Sequence, residues 1–323
     1  MRILFPLLIA SLALAQDQAP LRLIQTIPLP NVQGRIDHLA ADLAGSRLFL
    51  AALGNNTVEV IDLAAGRRTR SLPGFEEPQG LVYLPDLNRL YVANGGNGAV
   101  QILDGASLQV VNTVKFPDDA DNVRYDRAAK RLYAGYGKGA LGILDPTTGK
   151  RLGDLPLDGH PESFQLESSG PRIFVNVPTA GHVAVIDRNK GAVISKWTVS
   201  GAGANFPMAL DESSHRLFIA CRKPPKVLVF DTTTGKPLAD LPCAGDADDL
   251  FYDAARRRIY VSGGEGAISV FAQRDPDHYQ DIAKIPTAPG ARTSLFVPQS
   301  GRLYLAVPQR PNQPSALRVY QAQ

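Results

Sequence analysis

The triplet Arg89-Leu90-Tyr91 decides the fold, because a basic residue followed by two apolar residues recurs throughout the chain. It occurs seven times, as Arg47-Leu48-Phe49, Arg89-Leu90-Tyr91, Arg131-Leu132-Tyr133, Arg172-Ile173-Phe174, Arg216-Leu217-Phe218, Arg258-Ile259-Tyr260 and Arg302-Leu303-Tyr304. The successive spacings are 42, 42, 41, 44, 42 and 44 residues. A repeat in the low forties that holds several short strands predicts the blades of a β-propeller.

Each repeat unit divides into four strands separated by turn residues. A short apolar segment precedes the triplet, the triplet opens a second strand, and a third strand such as Val100-Gln101-Ile102-Leu103 follows a glycine-rich turn. The turn into the fourth strand begins with aspartate, as in Asp145-Pro146-Thr147-Thr148-Gly149. Aspartate accepts hydrogen bonds from backbone N–H groups two residues on, and glycine supplies a positive φ. The pattern indicates strands and not helices.

The two ends of the chain are predicted to complete one blade together. The seventh unit supplies three strands and ends at Leu317-Arg318-Val319-Tyr320, so its outer strand is missing. The segment Leu23-Ile24-Gln25-Thr26-Ile27 resembles the fourth strand Val110-Val111-Asn112-Thr113-Val114. We therefore expect an all-β fold, a single seven-bladed β-propeller of four-stranded blades spanning residues 16–323. The N-terminal strand would complete the last blade, close the ring and cover an exposed edge.

The first residues read as an export signal. Arg2 precedes an apolar run at residues 3–15, and Ala13-Leu14-Ala15 has the small residues of a cleavage site. The run is shorter than the ~20 apolar residues that span a bilayer. We expect residues 1–15 to be a signal peptide, and the protein to be periplasmic or secreted after cleavage near Ala15, with no membrane span.

The composition excludes several classes of protein. Glycine (29) and proline (25) are abundant and charged residues make up 20% of the chain, which suits a turn-rich β fold and not a coiled coil. The 34 basic and 31 acidic residues leave a net charge of +3, which does not imply a nucleic-acid partner. Two cysteines exclude a disulfide-rich scaffold and any four-thiolate metal site. A Cys221–Cys243 disulfide would have to join strands about 10 Å apart and stays open.

Polar residues precede the first strand of every unit. The first strand of each propeller blade lines the central channel, so the loops that lead into these strands meet at one channel mouth. The residues that we expect to bind a ligand there are Asp37, His38, Gln79, Asp121, Asn122, His160, Glu162, Asn205, Asp248, Asp249 and Arg292. They differ from unit to unit, whereas one repeated residue would meet a purely structural role. This asymmetry favours a site for an asymmetric ligand over a merely solvated channel.

Two kinds of chemistry remain open at the mouth. Its carboxylate, amide and imidazole groups could hold a divalent metal ion, although no local metal-binding motif is present. Alternatively, His38 or His160 could act as a general base while Arg292 stabilises an anion. No catalytic motif and no specific cofactor can be identified, so a binding role is favoured over an enzymatic one.

The segment Arg89-Leu90-Tyr91-Val92-Ala93-Asn94, with the strand after it and the aspartate-led turn, resembles the YVTN-type repeat of bacterial propellers. The whole mature chain is similar to YncE-like exported proteins, which implies a periplasmic binding or scaffold protein. More distant seven-bladed propellers include lactonases and a streptogramin lyase that work at the same channel mouth. A metal-dependent lactonase- or lyase-like enzyme is therefore the alternative.

We expect the partner at the channel mouth to be a small molecule or a protein, and the chain to be a monomer. The seven triplet arginines would lie together on the opposite face, where nucleic acid or another polyanion could bind. We favour a structural role, in which they cover apolar blade edges and pair with carboxylates, because no aromatic residues accompany them in a basic patch. An envelope polyanion binder remains the third hypothesis.

Overall fold

A computed structural model describes residues 19–323, which form seven four-stranded antiparallel sheets arranged in a ring. The signal peptide predicted at residues 1–15 lies outside the described residues. Within residues 19–323 the only helices are three single 3₁₀ turns, Leu53–Asn55, Pro85–Leu87 and Pro178–Ala180. No helix in this part of the chain is long and apolar enough to cross a membrane. The predicted seven-bladed all-β propeller is confirmed.

The strands are numbered β1 to β28 along the chain, beginning with β1 (Leu21–Pro28). Blade 1 contains β2 (Leu39–Asp42), β3 (Arg47–Ala52), β4 (Thr57–Asp62) and β5 (Arg67–Leu72). Blade 2 contains β6 (Pro78–Leu84), β7 (Arg89–Asn94), β8 (Ala99–Asp104) and β9 (Val110–Lys115). Blade 3 contains β10 (Ala120–Asp126), β11 (Arg131–Tyr136), β12 (Ala140–Leu144) and β13 (Arg151–Pro156).

The remaining four blades follow the same plan. Blade 4 contains β14 (Phe164–Leu166), β15 (Arg172–Val177), β16 (His182–Asp187) and β17 (Ala192–Thr198). Blade 5 contains β18 (Gly203–Asp211), β19 (Arg216–Lys223), β20 (Pro225–Asp231) and β21 (Pro237–Pro242). Blade 6 contains β22 (Ala247–Asp253), β23 (Arg258–Gly263), β24 (Ala267–Gln273) and β25 (Tyr279–Pro286). Blade 7 contains β26 (Ser294–Val297), β27 (Arg302–Val307), β28 (Ala316–Ala322) and the N-terminal β1.

Four of the seven triplet arginines, Arg47, Arg89, Arg172 and Arg216, make the carboxylate contacts expected from the sequence. Each triplet begins the second strand of its blade. Arg89 lies opposite Asp104 on the third strand, with its Nη1 atom 2.6 Å from the Asp104 carboxylate. Arg47 pairs with Asp42 at 2.6 Å and lies 5.4 Å from the centre of the Phe49 ring. These arginines bind carboxylates of their own blade and cover its aromatic edge.

The ends of the chain close the ring as predicted. Strand β1 pairs antiparallel with β28, from Leu21 opposite Ala322 to Pro28 opposite Ala316. Beyond the ladder, the Gln323 N–H donates to the Pro20 carbonyl at 3.1 Å. Leu21 and Ile27 are 2% and 1% exposed, so β1 also contributes to the core between blades 6, 7 and 1.

Bulges at the start of four inner strands direct polar residues into the channel mouth. The register of β6, β10, β18 and β22 against the neighbouring strand shifts within the first few residues. A bulge bends a strand and re-aims its side chains, so successive residues no longer alternate between faces. In blade 2 the bulge contains Gly80, where a Cβ would lie 2.2 Å from the Asp121 carbonyl oxygen. Glycine is therefore required for the bulges of blades 2 and 3 to pack together.

The two cysteines are free thiols. Cys221 is buried in β19, and Cys243 follows β21, so β20 separates them. Burial raises the pKa of each thiol to about 12, which leaves little reactive thiolate at neutral pH. The disulfide that the sequence left open does not form.

Removal of the closing strand should destabilise the whole ring. We expect deletion of Leu21–Pro28 to abolish cooperative unfolding, because β28 and the apolar core between blades 7 and 1 would be exposed to water. The measurement is a thermal melt followed by far-UV circular dichroism. A melting temperature equal to that of the full chain would contradict the closure.

A matched pair of double variants separates packing from strand pairing. We expect Leu21→Ala with Ile27→Ala to lower the free energy of unfolding by about 4–8 kcal/mol, because two buried side chains leave cavities. Leu23→Ala with Ile24→Ala, at positions 47% and 38% exposed on the same strand, should cost less than about 1 kcal/mol. Equal losses in a urea titration would show that β1 does not enter the core.

Candidate functional site

A cavity of about 580 Å³ lies at the channel mouth and takes side chains from all seven blades. Blade 1 provides Arg35 and His38 from the loop before β2, and blades 2 to 4 provide mainly acids and amides. Blades 5 to 7 provide two arginines, one aspartate and one phenylalanine. The side chains that line it are those of Arg35, His38, Leu53, Glu77, Gln79, Asp118, Asp119, Asp121, His160, Glu162, Phe206, Arg222, Asp248 and Arg292.

The structure gathers seven of the eleven residues expected at the mouth around this cavity. They are His38, Gln79, Asp121, His160, Glu162, Asp248 and Arg292. Asp37 lies beneath the cavity, where Arg35 and His38 contact it. Asp249 faces the channel interior together with Arg124.

Two of the expected asparagines do not line the cavity. Asn205 is fully buried, and its amide donates to the Asn176 side chain at 2.9 Å and to the His182 carbonyl at 3.2 Å. These bonds join blades 4 and 5. Asn122 is 2% exposed beside the bulge of β10, and its side-chain oxygen has no partner among residues 19–323. Neither asparagine lines the cavity.

One side of the cavity is an acidic wall, which we define as Asp118, Asp119, Asp121 and Glu162. Asp121 is 6% exposed, because the bulge of β10 turns it inward. Among the described residues, His160 is the only cationic side chain within 4.0 Å of the wall's carboxylates. The Gln79 amide adds one hydrogen bond to Asp119 at 3.0 Å. His160 is thus the one cation in direct contact with the wall among the described residues, while His38 and Arg35 act from farther away; burial opposes them, but His160, His38 and Arg35 together lower the pKa of Asp121.

His160 is oriented by the backbone of the neighbouring blade. Its Nδ1 lies 2.6 Å from the Gly137 carbonyl oxygen, which can only accept, so Nδ1 carries a proton. Nε2 consequently faces the acidic wall, 3.7 Å from Asp121 Oδ2. That separation exceeds a hydrogen bond.

The acidic wall changes the ionisation of its own members. Burial, together with repulsion from Asp121, raises the pKa of Glu162 to about 8. Burial alone would lower the pKa of His160, but the Asp121 carboxylate and the Gly137 carbonyl outweigh it and raise the pKa to about 9. These shifts have the direction expected of carboxylates that are crowded together and poorly solvated.

The opposite side is an arginine wall, which we define as Arg222 and Arg292. Both arginines contact the buried carboxylate of Asp248, and Arg292 also binds Asp246 at 2.8 Å. The Arg222 guanidinium lies 3.8 Å from the centre of the Phe206 ring, close enough for a cation–π contact. The positive charge of this wall is thus largely satisfied within the protein.

His38 joins the floor of the cavity to the channel. Its Nδ1 lies 3.5 Å from Asp249 and its Nε2 lies 3.7 Å from Asp37. Burial opposes a charge on this imidazole, but Asp249 and Asp37 outweigh it and raise the pKa of His38 to about 10. The Ser294 N–H donates to Asp249 at 2.7 Å and fixes that carboxylate. A protonated His38 in this position is a poor general base at neutral pH.

Seven of the lining side chains were not among the residues expected at the mouth: Arg35, Leu53, Glu77, Asp118, Asp119, Phe206 and Arg222. Arg35 and Asp119 stand in the polar loops before β2 and β10, next to residues that were chosen. Phe206 lies in the bulge of β18, and Arg222 comes from the end of β19. The signal for Arg222 was available, because the loop between the second and third strands of a blade opens on the same face as the loop into the first.

A larger cavity of about 860 Å³ lies along the outer edge of blade 6. It is lined by Arg256, Arg257, Arg258 and parts of β24 and β25, with Ala19 and Pro20 at one end. Its side chains come from a single blade and the chain end. The cavity at the channel mouth is the stronger candidate site, because it alone of these two collects different polar groups from every blade.

The charge of His38 provides a direct check on the site's electrostatics. We expect its imidazole to stay protonated through pH 8 and to titrate near pH 10, because Asp249 and Asp37 stabilise the cation. The measurement is the pH dependence of the imidazole NMR signals, with His38→Gln used to assign the resonance. A His38 signal that titrates below pH 7 would contradict the ion-pair geometry.

No protein-family model matches the chain. The chain is 24% identical over 228 residues to YncE of Salmonella typhimurium, described as uncharacterised, which covers 68% of this chain. YncE of Salmonella typhi matches with the same identity and coverage. The matched segment spans 64% of the length of these curated relatives.

Solved structures share the fold over most or nearly all of the chain. A chain of the mitotic checkpoint complex superposes with a TM-score of 0.79 and 14% identity, covering 99% of this chain and 98% of that one. A chain of Kuenenia stuttgartiensis hydrazine synthase gives a TM-score of 0.75 at 17% identity, covering 83% and 91%. At such identities these likenesses show the propeller fold alone. The chain is therefore a seven-bladed β-propeller that is similar to YncE over about two thirds of its length.

Proposed function

We propose that the protein binds a small polar ligand at the channel mouth, and that the acidic wall holds a positively charged centre of this ligand. The observation that carries the proposal is the unequal compensation of charge across one cavity. Asp121 and Glu162 are largely enclosed and face a single histidine, whereas Arg222 and Arg292 already contact Asp246 and Asp248.

Burying carboxylates without a directly paired lysine or arginine is costly, and the pKa of about 8 for Glu162 indicates that this cost keeps the group largely protonated near neutral pH. A structural ion-pair network would place a lysine or arginine against them, as Arg89 is placed against Asp104. A cation bound in the cavity against the acidic wall would supply the missing positive charge. The ligand's anionic or hydrogen-bonding groups would then face Arg35 and the arginine wall.

Binding is favoured over catalysis by the state of His38. This imidazole is held as a cation between Asp37 and Asp249, so it is not a free base near neutral pH. The lactonase- or lyase-like alternative would have to take its base from a carboxylate of the acidic wall or from a bound metal ion.

We also infer that the protein is exported, on the basis of Arg2, the apolar run at residues 3–15 and the Ala13-Leu14-Ala15 site. Export would give the channel mouth access to ligands outside the cytoplasm. N-terminal sequencing of protein from fractionated cells should find a chain that starts at Gln16. A chain that retains Met1 in the cytoplasmic fraction would contradict export.

The cation preference is testable by thermal stabilisation. We expect choline, putrescine, Mn²⁺ or Zn²⁺ to raise the melting temperature in a saturable way, while citrate and phosphate do not. A ligand at about 100 times its Kd stabilises by about 2.7 kcal/mol, which shifts melting by several degrees. The rise should be lost in the double variant Asp121→Asn with Glu162→Gln.

The control is Asp86→Asn, which removes a carboxylate that is 78% exposed and lies outside the cavity. It should keep the full stabilisation. Stabilisation by the anions alone, or by no probe in the set, would overturn the proposal. A cation effect that survives in the double variant would place the binding elsewhere and would also overturn it.

A further inference from the structure

We propose that Asp121, His160 and Glu162 form a binding site for a divalent transition-metal ion such as Zn²⁺ or Mn²⁺. This inference rests on the proposed function, because it names the positive centre that the acidic wall holds. One ligand atom from each residue can be chosen so that all three lie within 4.8 Å of one another. Asp121 lies in the bulge of β10 in blade 3, and His160 and Glu162 lie in the loop before β14 in blade 4.

The spacing of the ligand atoms suits a shared ion. Two atoms bound to one zinc ion at about 2.1 Å in tetrahedral geometry lie roughly 3.4 Å apart. His160 Nε2 and Asp121 Oδ2 are 3.7 Å apart, too far for a hydrogen bond and close to the separation of two ligands on one ion. A carboxylate that simply paired with the imidazole would lie nearer.

The orientation of His160 is that of a metal ligand. Histidines that bind metals usually donate their other ring N–H to a carbonyl or carboxylate, which fixes the tautomer and the ring. Here Nδ1 is held by the Gly137 carbonyl at 2.6 Å, which leaves Nε2 to face Asp121. Gly137 has φ of +58° in the turn between β11 and β12, a conformation that favours glycine and aims this carbonyl at the ring.

Asp121 supplies an independent observation. Its side chain is 8% exposed, and no hydrogen-bond donor lies within bonding distance of its carboxylate among residues 19–323; His160 Nε2, at 3.7 Å, is too far. Buried carboxylates are normally paired or bound to metal ions. An ion bound by Asp121, His160 and Glu162 would give the Asp121 carboxylate a partner. It would also reduce the repulsion between Asp121 and Glu162.

The donor set selects the class of metal. One imidazole nitrogen with two carboxylates suits Zn²⁺, Mn²⁺ and related ions, whereas Ca²⁺ and Mg²⁺ prefer oxygen ligands alone. Three protein ligands leave coordination positions for water or for a ligand from the cavity. Arg222 and Arg292 line the same cavity, so an anionic group that binds the metal would also meet the arginine wall.

The test is Zn²⁺ binding by the full, tag-free chain after treatment with a chelator, followed by isothermal titration calorimetry. We expect one equivalent to bind, and Glu162→Gln and His160→Gln each to weaken binding at least ten-fold. Asp121→Asn is the second variant should either of these fail to fold, which far-UV circular dichroism reports. His278→Gln is the matched control, because His278 is 78% exposed and contacts Asp275 in a surface turn.

Full Zn²⁺ affinity in His278→Gln, with loss in the cavity variants, would support the site. The absence of saturable binding, or equal weakening in all variants, would overturn it. If choline or putrescine stabilises the protein through Asp121 and Glu162 while Zn²⁺ does not bind, the metal inference fails and the proposed function stands. If neither the organic cations nor Zn²⁺ bind through these residues, the metal inference and the proposed function both fail.

Discussion

The pairing of β1 with β28 is the constraint on which the rest of the structure depends. Each blade packs only on its two neighbours, so an open ring would leave a sheet edge and two blade faces exposed to water. The closure continues inward, where the buried Thr293 hydroxyl donates to the Ile36 carbonyl at 3.2 Å across 257 residues of sequence. This contact holds the loop that carries Arg292 against the loop that carries Arg35, and so joins the two ends of the chain at the channel mouth.

Charges in the blades and charges at the mouth follow different rules. The repeated aspartates accept hydrogen bonds from the backbone of their own turns. Asp145, for example, accepts from the Thr147 and Thr148 N–H groups at 2.9 and 2.8 Å. Asp121 and Glu162 have no comparable donors within the described residues. Because folding alone does not satisfy these two carboxylates, a bound cation gives the simplest physical reason for their position.

The sequence predicts the fold well because the repeat is a packing requirement. Every blade needs the same Arg triplet and aspartate-led turn, so the spacing alone gives the blade number and the missing outer strand. The residues of the channel mouth were predicted from their equivalent positions in the repeat. Asp121, His160 and Glu162, among others, do meet there. The repeat register does not predict where a side chain points inside a bulge, since two successive residues there no longer alternate between the faces of the sheet. Asn205 stands at such a shift and turns into the contact between blades 4 and 5.

The division into an acidic and an arginine wall could not be read from the sequence, because it depends on which charges contact one another across blades. The claim that the acidic wall binds a cation is tested most directly by anomalous diffraction. Crystals grown with Zn²⁺ would be measured on both sides of the zinc absorption edge. The account predicts one strong peak bounded by the carboxylates of Asp121 and Glu162 and by Nε2 of His160. Zinc peaks confined to surface groups such as His278, with none at the channel mouth, would contradict it.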